Sequence, residues 1–526
     1  MPVPPPDLDA LRKVADGYQL GLSSEEVEAY QPFVAGLLAS WDVVEQLYAE
    51  TAPKAPERAW QRPADADNPY NAWYVTTELA GAPEGPLAGR TVAIKDNITV
   101  AGLPMMNGSK TVEGFVPTRD ATVVSRVLAA GATITGKAVC EDLCFSGGSH
   151  TSRTGPVRNP WDETRTTGGS STGNGALLAA GLVDLAIGGD QGGSVRMPAA
   201  FSGIVGHKPT HGLVPYTGAF PIEQTIDHLG PMARTVADTA LLLSVLAGRD
   251  GNDPRQPVDL TVPDYVAALA EGAEGLRVGV VTEGFGRENS EPGVDATVRA
   301  ALDTLRGAGL SVEEVSIPWH LHGTKIWDVI ATEGAAAQMV DANGYGMNWQ
   351  GLYDPELIEH YGNQWRARSD EFSLTVQLVL LTAGYASEVG RNKHYAMARN
   401  LATELRRAYD EALDRFDVLV MPTLPISATV IPGPDAPLEE VLGRALEMIG
   451  NTCPTDVTGH PACSVPAGLT EGRPVGMMIV GKHFDDQTVL RVAHAYERAV
   501  GGFPAPPGVG GSTEQRTAGQ QAAGRP

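Results

Sequence analysis

The residues best placed to do chemistry lie between 168 and 198, in the stretch GGSSTGNGALLAAGLVDLAIGGDQGGSVRMP. Two serine-bearing glycine clusters sit at the ends of a short apolar connector. Glycines let backbone N–H groups approach a ligand and adopt dihedrals closed to other residues. The second cluster places Asp190, Gly192, Gly193, Ser194, Arg196 and Pro198 in one tight loop. Backbone N–H groups of Gln191, Gly192, Gly193 and Ser194 can converge there as a nest on a developing oxyanion. A serine at the end of such a nest is where an acyl-transfer nucleophile belongs, and it needs a base. No His or Asp stands at a spacing that reads as a Ser-His-Asp arrangement. A buried lysine is the other option, since burial disfavours the ammonium form. Lys95, at the end of the apolar run Val92-Ala93-Ile94, fits that description. A strand-end lysine alone reads as a surface residue, and a Gly/Ser loop alone as a linker. The density of glycine together with Asp190, Arg196 and Pro198 argues against a linker.

Other motifs carry less. Gly131–Ala138, GATITGKA, approaches a phosphate-binding loop, but Ala138 stands where Ser or Thr would hold magnesium, so a strand and turn are expected. GSSTG around Ser171 has the form of a nucleophile elbow, yet the preceding NPWDETRTTG is turn-like rather than a strand. His207 and His211 are four apart, but Pro209 between them excludes a helix, and both read as loop residues. Cys140 and Cys144 could share a helix face, although two thiols alone do not make a zinc site. Neither a metal nor a cofactor is expected.

These residues need a scaffold. At 526 residues, one large domain plus a smaller piece is the expectation. The formal net charge of −24 argues against nucleic acid or an anionic membrane as partner. Four cysteines do not make a disulfide framework, and the start MPVPPPDLDALRKV lacks the basic end and apolar run of a signal peptide. No stretch has the length of a membrane span. A cytoplasmic setting follows. Residues 1–75 read as a helical segment ending in a Pro/Ala-rich wrap, with Ser23 or Ser24 as N-cap. The segment is a dimerisation element or a packing extension, and a homodimer is expected. From residue 76 to 505, short apolar strands alternate with helices, the pattern of an α/β domain. Among these helices, the one at TVADTALLLSVLAG opens with Thr235 and Asp238 at capping-box spacing. Residues 506–526 read as a disordered low-complexity tail.

Several stretches together resemble the amidase signature family of Ser-Ser-Lys amide hydrolases: VAIKDNI, GGSSTGNGALLAAG, GGDQGGSVRMPAAFSGIVGHKPTHGLVP, DHLGPMARTVADTALLLSVLAG and DVTGHPACSVPAG. The resemblance spans roughly residues 76 to 500. It implies a central mixed, mostly parallel sheet covered by helices. It assigns Ser194 as the nucleophile that forms an acyl-enzyme, Ser170 as a relay preceded by a cis peptide bond, and Lys95 as the base. Asp190, Arg196 and Ser171 then support the loop. Departures from the common pattern at Thr172, Asn174, Gln191 and His207 look most like the bacterial amidases found alongside nitrile hydratases. The resemblance thus implies a small-molecule substrate, a small aliphatic or aryl-substituted amide, cleaved to acid and ammonia. Phe145, Ile226, Trp327 and Ile449 are the candidates for an apolar acyl pocket, the last two being equally compatible with core packing. The alternatives are a carbamate, aryl acylamide or oligoamide hydrolase with the same three residues, and the A subunit of a tRNA-dependent amidotransferase.

Overall fold

The computed structural model describes residues 3–509; the expected tail from residue 510 onward lies outside the described residues. The chain divides into two compact units, one up to Ala55 and one from Pro56. The first contains the helices Leu8–Gly17 and Ser24–Thr51. Asp7 caps the first by accepting the Ala10 N–H at 2.8 Å. Ser23 caps the second through a reciprocal pair with Glu26, which satisfies two otherwise orphaned donors. The longer helix leaves Tyr30, Phe33, Leu37, Trp41 and Val44 exposed at spacings of three and four. The division falls at Pro56 and not near residue 75 because residues 73–80 already belong to the main sheet of the second unit.

That sheet is built from β1 (Trp73–Ala80), β2 (Thr91–Lys95), β3 (Thr133–Ala138), β6 (Leu185–Asp190), β7 (Val205–Lys208), β8 (His228–Ala233), β9 (Arg277–Val281), β10 (Ser311–Val315), β11 (Val418–Pro422), β12 (Ala462–Thr470) and β13 (Arg473–Gly481). A separate small ribbon pairs β4 (Arg158–Asn159) with β5 (Asp162–Thr166). Eleven strands lie in the order β1-β3-β2-β6-β8-β7-β12-β13-β11-β9-β10. The sheet is mixed, as expected, but its parallel pairings are confined to β3-β2-β6 on one flank and β11-β9-β10 on the other. Every pairing from β6 through β8, β7, β12 and β13 to β11 is antiparallel. One cause is visible at the β12–β13 turn. Glu471 and Gly472 both have positive φ, 49° and 76°, the two-residue hairpin whose twist matches its flanking strands. The interior strands are apolar at successive positions because helices cover both faces.

The parallel flank positions the chemistry. β2 and β6 pair side by side, Ile94 opposite Ile187, so their C-terminal ends emerge together. Lys95 ends the first, and Asp190 begins the glycine loop after the second. Ligands in α/β sheets bind at such strand ends. Side chains alternate faces along a strand, and the residue after Lys95, Asp96, turns elsewhere. It accepts the backbone N–H groups of Met106 and Asn107, each at 2.8 Å, and pairs with Lys137 Nζ at 2.8 Å. Thus GATITGKA is a turn at Gly131 leading into strand β3, and its lysine is a structural ion-pair partner. Both members are buried, and burial pushes the Asp96 carboxyl above its ordinary range in spite of Lys137.

Lys137→Met leaves the Asp96 carboxylate buried without its cation, which costs about 3–5 kcal/mol. Equilibrium denaturation should show a loss of that size; an unchanged midpoint would mean the pair contributes nothing to stability.

Candidate active site

Lys95 is fully buried, and its Nζ donates to Ser170 Oγ at 2.7 Å and to the Gly189 carbonyl at 3.1 Å. Among the described residues Lys95 forms no ion pair. The Gly189 carbonyl also accepts from Ser171 Oγ at 3.3 Å, and the Ser171 N–H donates to the Ser194 carbonyl at 3.3 Å. Ser171 therefore sews the first serine cluster to the second, while Ser170 faces the lysine. The Gly169–Ser170 peptide bond is cis. The helix Thr172–Ala179 that follows is held to β6 by Asn174 Nδ2, which donates to the Ile187 carbonyl at 2.9 Å.

The loop after β6 winds around one carboxylate. Asp190 Oδ1 accepts the Gly193 N–H at 2.7 Å, and Oδ2 accepts the Val195 N–H at 2.9 Å. Arg196 grips both oxygens, Nε to Oδ2 at 3.0 Å and Nη2 to Oδ1 at 2.9 Å. The guanidinium continues to Asp456 Oδ2 at 2.7 Å and Thr455 Oγ1 at 2.6 Å. Burial pushes the Asp190 carboxyl up, but Arg196 overrides it and holds the group well below the usual carboxylate range. Asp456 goes the other way, pushed well up by burial and by the charge of Asp190. The expected four-donor nest is thereby reduced to three. The Gly193 N–H is spent on Asp190, whereas those of Gln191, Gly192 and Ser194 meet no acceptor among the described residues. Gly193 has φ +130°, and a Cβ there would lie 2.4 Å from Thr452 Oγ1, so no other residue fits.

In front of Ser194 lies a small, largely apolar pocket. Ser194, Gln191 and Gly192 form its polar side. Phe145, Ile226, Trp327 and Ile449 all line it, joined by Met197, Ile222, Ala331 and Leu446. Trp327 stacks on Phe145 with ring centroids 6.3 Å apart. The two residues compatible with core packing, Trp327 and Ile449, thus face the same cavity as the two taken from motif stretches.

Two further hydrogen bonds to the loop carry no sequence signal. Thr452 Oγ1 donates to the Gly192 carbonyl at 2.6 Å, and Trp327 Nε1 donates to the Gln191 carbonyl at 2.6 Å. Cys144 also lines the pocket. Burial pushes its thiol up, but Cys140, Lys95 and Ser170 outweigh this and bring it to about 7. Cys140 and Cys144 share no helix face; both thiols donate to Asn107 Oδ1, at 3.5 and 3.3 Å, around a short 3-10 turn. His207 lies in β7 rather than in a loop, hydrogen-bonded to Asp486 at 2.9 Å. Asp410, His460 and His483 bring possible metal-ligand atoms within 4.8 Å of one another. Their histidine nitrogens are engaged by Asp410 and by Thr458.

Residues 42–490 match the family described as Amidase. The chain is 57% identical to an enantioselective amidase of Rhodococcus rhodochrous, over 96% of this chain and 97% of that one. It superposes on the A subunit of the glutamyl-tRNA(Gln) amidotransferase of Thermotoga maritima with a TM-score of 0.69 and 32% identity, covering 84% and 91% of the two chains. It superposes on the peptide amidase of Stenotrophomonas maltophilia with a TM-score of 0.66 and 30% identity, covering 80% and 85%. No helix among the described residues is long and apolar enough to cross a membrane.

Behind the pocket wall, Asp227 follows Ile226 and is almost fully buried, facing Arg255, Glu223 and Gln191. Burial raises its carboxyl to about 8, against the opposing pull of Arg255. An unfolded aspartate loses its proton near pH 4, at roughly the model-peptide value. Between those values the unfolded chain binds fewer protons than the folded one, so this group's contribution to stability falls as pH rises through the interval. Asp227→Asn removes that slope. Thermal melts should show the variant gaining most over the parent at about pH 9 and least at about pH 5; a pH-independent difference would count against the raised value.

Proposed function

The chain belongs to the amidase family, and from that premise we propose that it hydrolyses carboxylic acid amides to the acid and ammonia through an acyl-enzyme on Ser194. The observation that carries the reading is the buried Lys95–Ser170 hydrogen bond of 2.7 Å beside the loop that presents Ser194 to an apolar pocket. Lys95 accepts the proton of Ser170 as Ser170 accepts that of Ser194, and Ser194 Oγ attacks the amide carbon. The free N–H groups of Gln191, Gly192 and Ser194 receive the oxyanion. The relay then returns a proton to the leaving nitrogen, and water attacks the acyl-enzyme by the same route. Asp190, Arg196 and Ser171 hold the loop without touching the reacting atoms.

The apolar walls suit small aliphatic and aryl-substituted acyl groups. The likeness to an enantioselective amidase supports discrimination between mirror-image α-substituted amides. A homodimer joined through the N-terminal helices belongs to the same reading, supported by the exposed stripe from Tyr30 to Val44. So does a cytoplasmic setting, supported by four free cysteines.

The purified chain alone should release ammonia from acetamide and benzamide, with an anilide and a carbamate as the competing substrates. Release from none of them without a charged tRNA would favour the amidotransferase reading. Ser194→Ala should lower kcat by at least about 10³-fold, as loss of a serine nucleophile does elsewhere. Lys95→Ala should change the shape of the pH–rate profile as well as its height, and an unaltered profile would remove Lys95 from the role of base.

A further inference from the structure

We infer that Trp327 is a positioning residue of the oxyanion loop as well as a wall of the acyl pocket. The inference rests on the reading of Ser194 as nucleophile. The indole N–H donates to the Gln191 carbonyl at 2.6 Å. The Gln191–Gly192 peptide is trans, so its carbonyl and its N–H point in opposite directions. A donor that fixes the oxygen therefore aims the Gly192 N–H, one of the three loop amides without an acceptor among the described residues. The next peptide is fixed separately, by Thr452 at its carbonyl and Asp190 at its N–H. Of these three side chains, Trp327 alone also lines the pocket.

The indole is itself held from behind. On the helix His320–Ala335, residues His320, Gly323 and Trp327 share one face, at spacings of three and four. His320 is hydrogen-bonded to Tyr409 Oη at 2.6 Å and to Asn451 Oδ1 at 3.1 Å. Gly323 meets Pro454 so closely that a Cβ would lie 2.6 Å from its ring. On its other side the indole presses on Gly192, where a Cβ would fall 2.8 Å from it. A buried indole must place its N–H on some acceptor. Here the acceptor is the carbonyl that orients an oxyanion donor, so the bond serves the transition state more than the bound substrate.

The test removes the N–H and leaves an aromatic side chain in its place. Trp327→Phe should lower kcat about tenfold, less than the 10²–10³ that follows deletion of an oxyanion donor itself. KM should stay within about twofold, and the loss should be equal for acetamide and benzamide. Affinity for phenylboronic acid, which mimics the tetrahedral state, should fall by the same factor, while affinity for benzoate should not. Benzothienylalanine at 327, which replaces the N–H by sulfur in an unchanged shape, should reproduce the loss even if the Phe variant folds poorly. An unchanged kcat, or a KM effect seen with benzamide alone, would leave Trp327 a wall and overturn the inference. Ser194→Ala is assayed in parallel. If it is inactive while Trp327→Phe keeps full kcat, only the positioning role fails; if it keeps activity, the nucleophile assignment fails instead.

Discussion

Asp190 gives up its water to organise the loop around it. Four of the groups that replace that water are the N–H groups of Gly193 and Val195 and two nitrogens of Arg196. Removing a carboxylate from water is expensive, and a bidentate guanidinium is the partner best able to offset it. The arrangement consumes two loop amides, those of Gly193 and Val195, and leaves those of Gln191, Gly192 and Ser194 without an acceptor among the described residues. Arg196 also reaches Thr452, Thr455 and Asp456, more than 250 positions along the chain. The loop that carries Ser194 is thus tied through one side chain to the segment just before the C-terminal hairpin.

Strand β2 solves a second problem of charge. Lys95 and Asp96 are adjacent, yet they do not pair with each other. Alternation sends Asp96 to Lys137 and two backbone amides, while Lys95 meets Ser170 and a carbonyl. Two buried lysines stand close in the fold with opposite employments, one balanced by a carboxylate and one hydrogen-bonded to a hydroxyl and a carbonyl.

The legible parts of the sequence were those where chemistry demands a residue type. Glycines 192 and 193 announced a loop of unusual geometry, and Lys95, Ser170 and Ser194 stood in stretches dense enough to be read together. The α/β class followed from alternating short apolar runs. What was not legible depends on long-range geometry. That the Gly193 amide turns inward on Asp190 cannot be inferred from the loop's composition. Thr452 lies in no motif, and its role depends on the distance between its hydroxyl and one carbonyl. Trp327 and Ile449 stand among the pocket candidates in the sequence, but only the fold separates pocket lining from core packing for them. The antiparallel middle of the sheet was hidden because the order of strands in space, from β7 to β12, ignores their order in the chain. Pro and Ala between residues 52 and 72 read as a linker or wrap, whereas β1 begins at Trp73.

The seam between β7 and β12 has a consequence for how activity arises in time. Cys463 pairs with His207 across it, joining residues some 250 positions apart, and the pocket draws its walls from positions as distant as Phe145 and Ile449. Loop closure on that scale must precede any reward from the contacts it makes. During synthesis, then, Lys95, Ser170 and Ser194 leave the ribosome long before the segment that fixes Arg196 and the indole wall. On the proposed reading, the three side chains precede by more than 250 positions the segment that Arg196 grips, and the complete site waits for that segment.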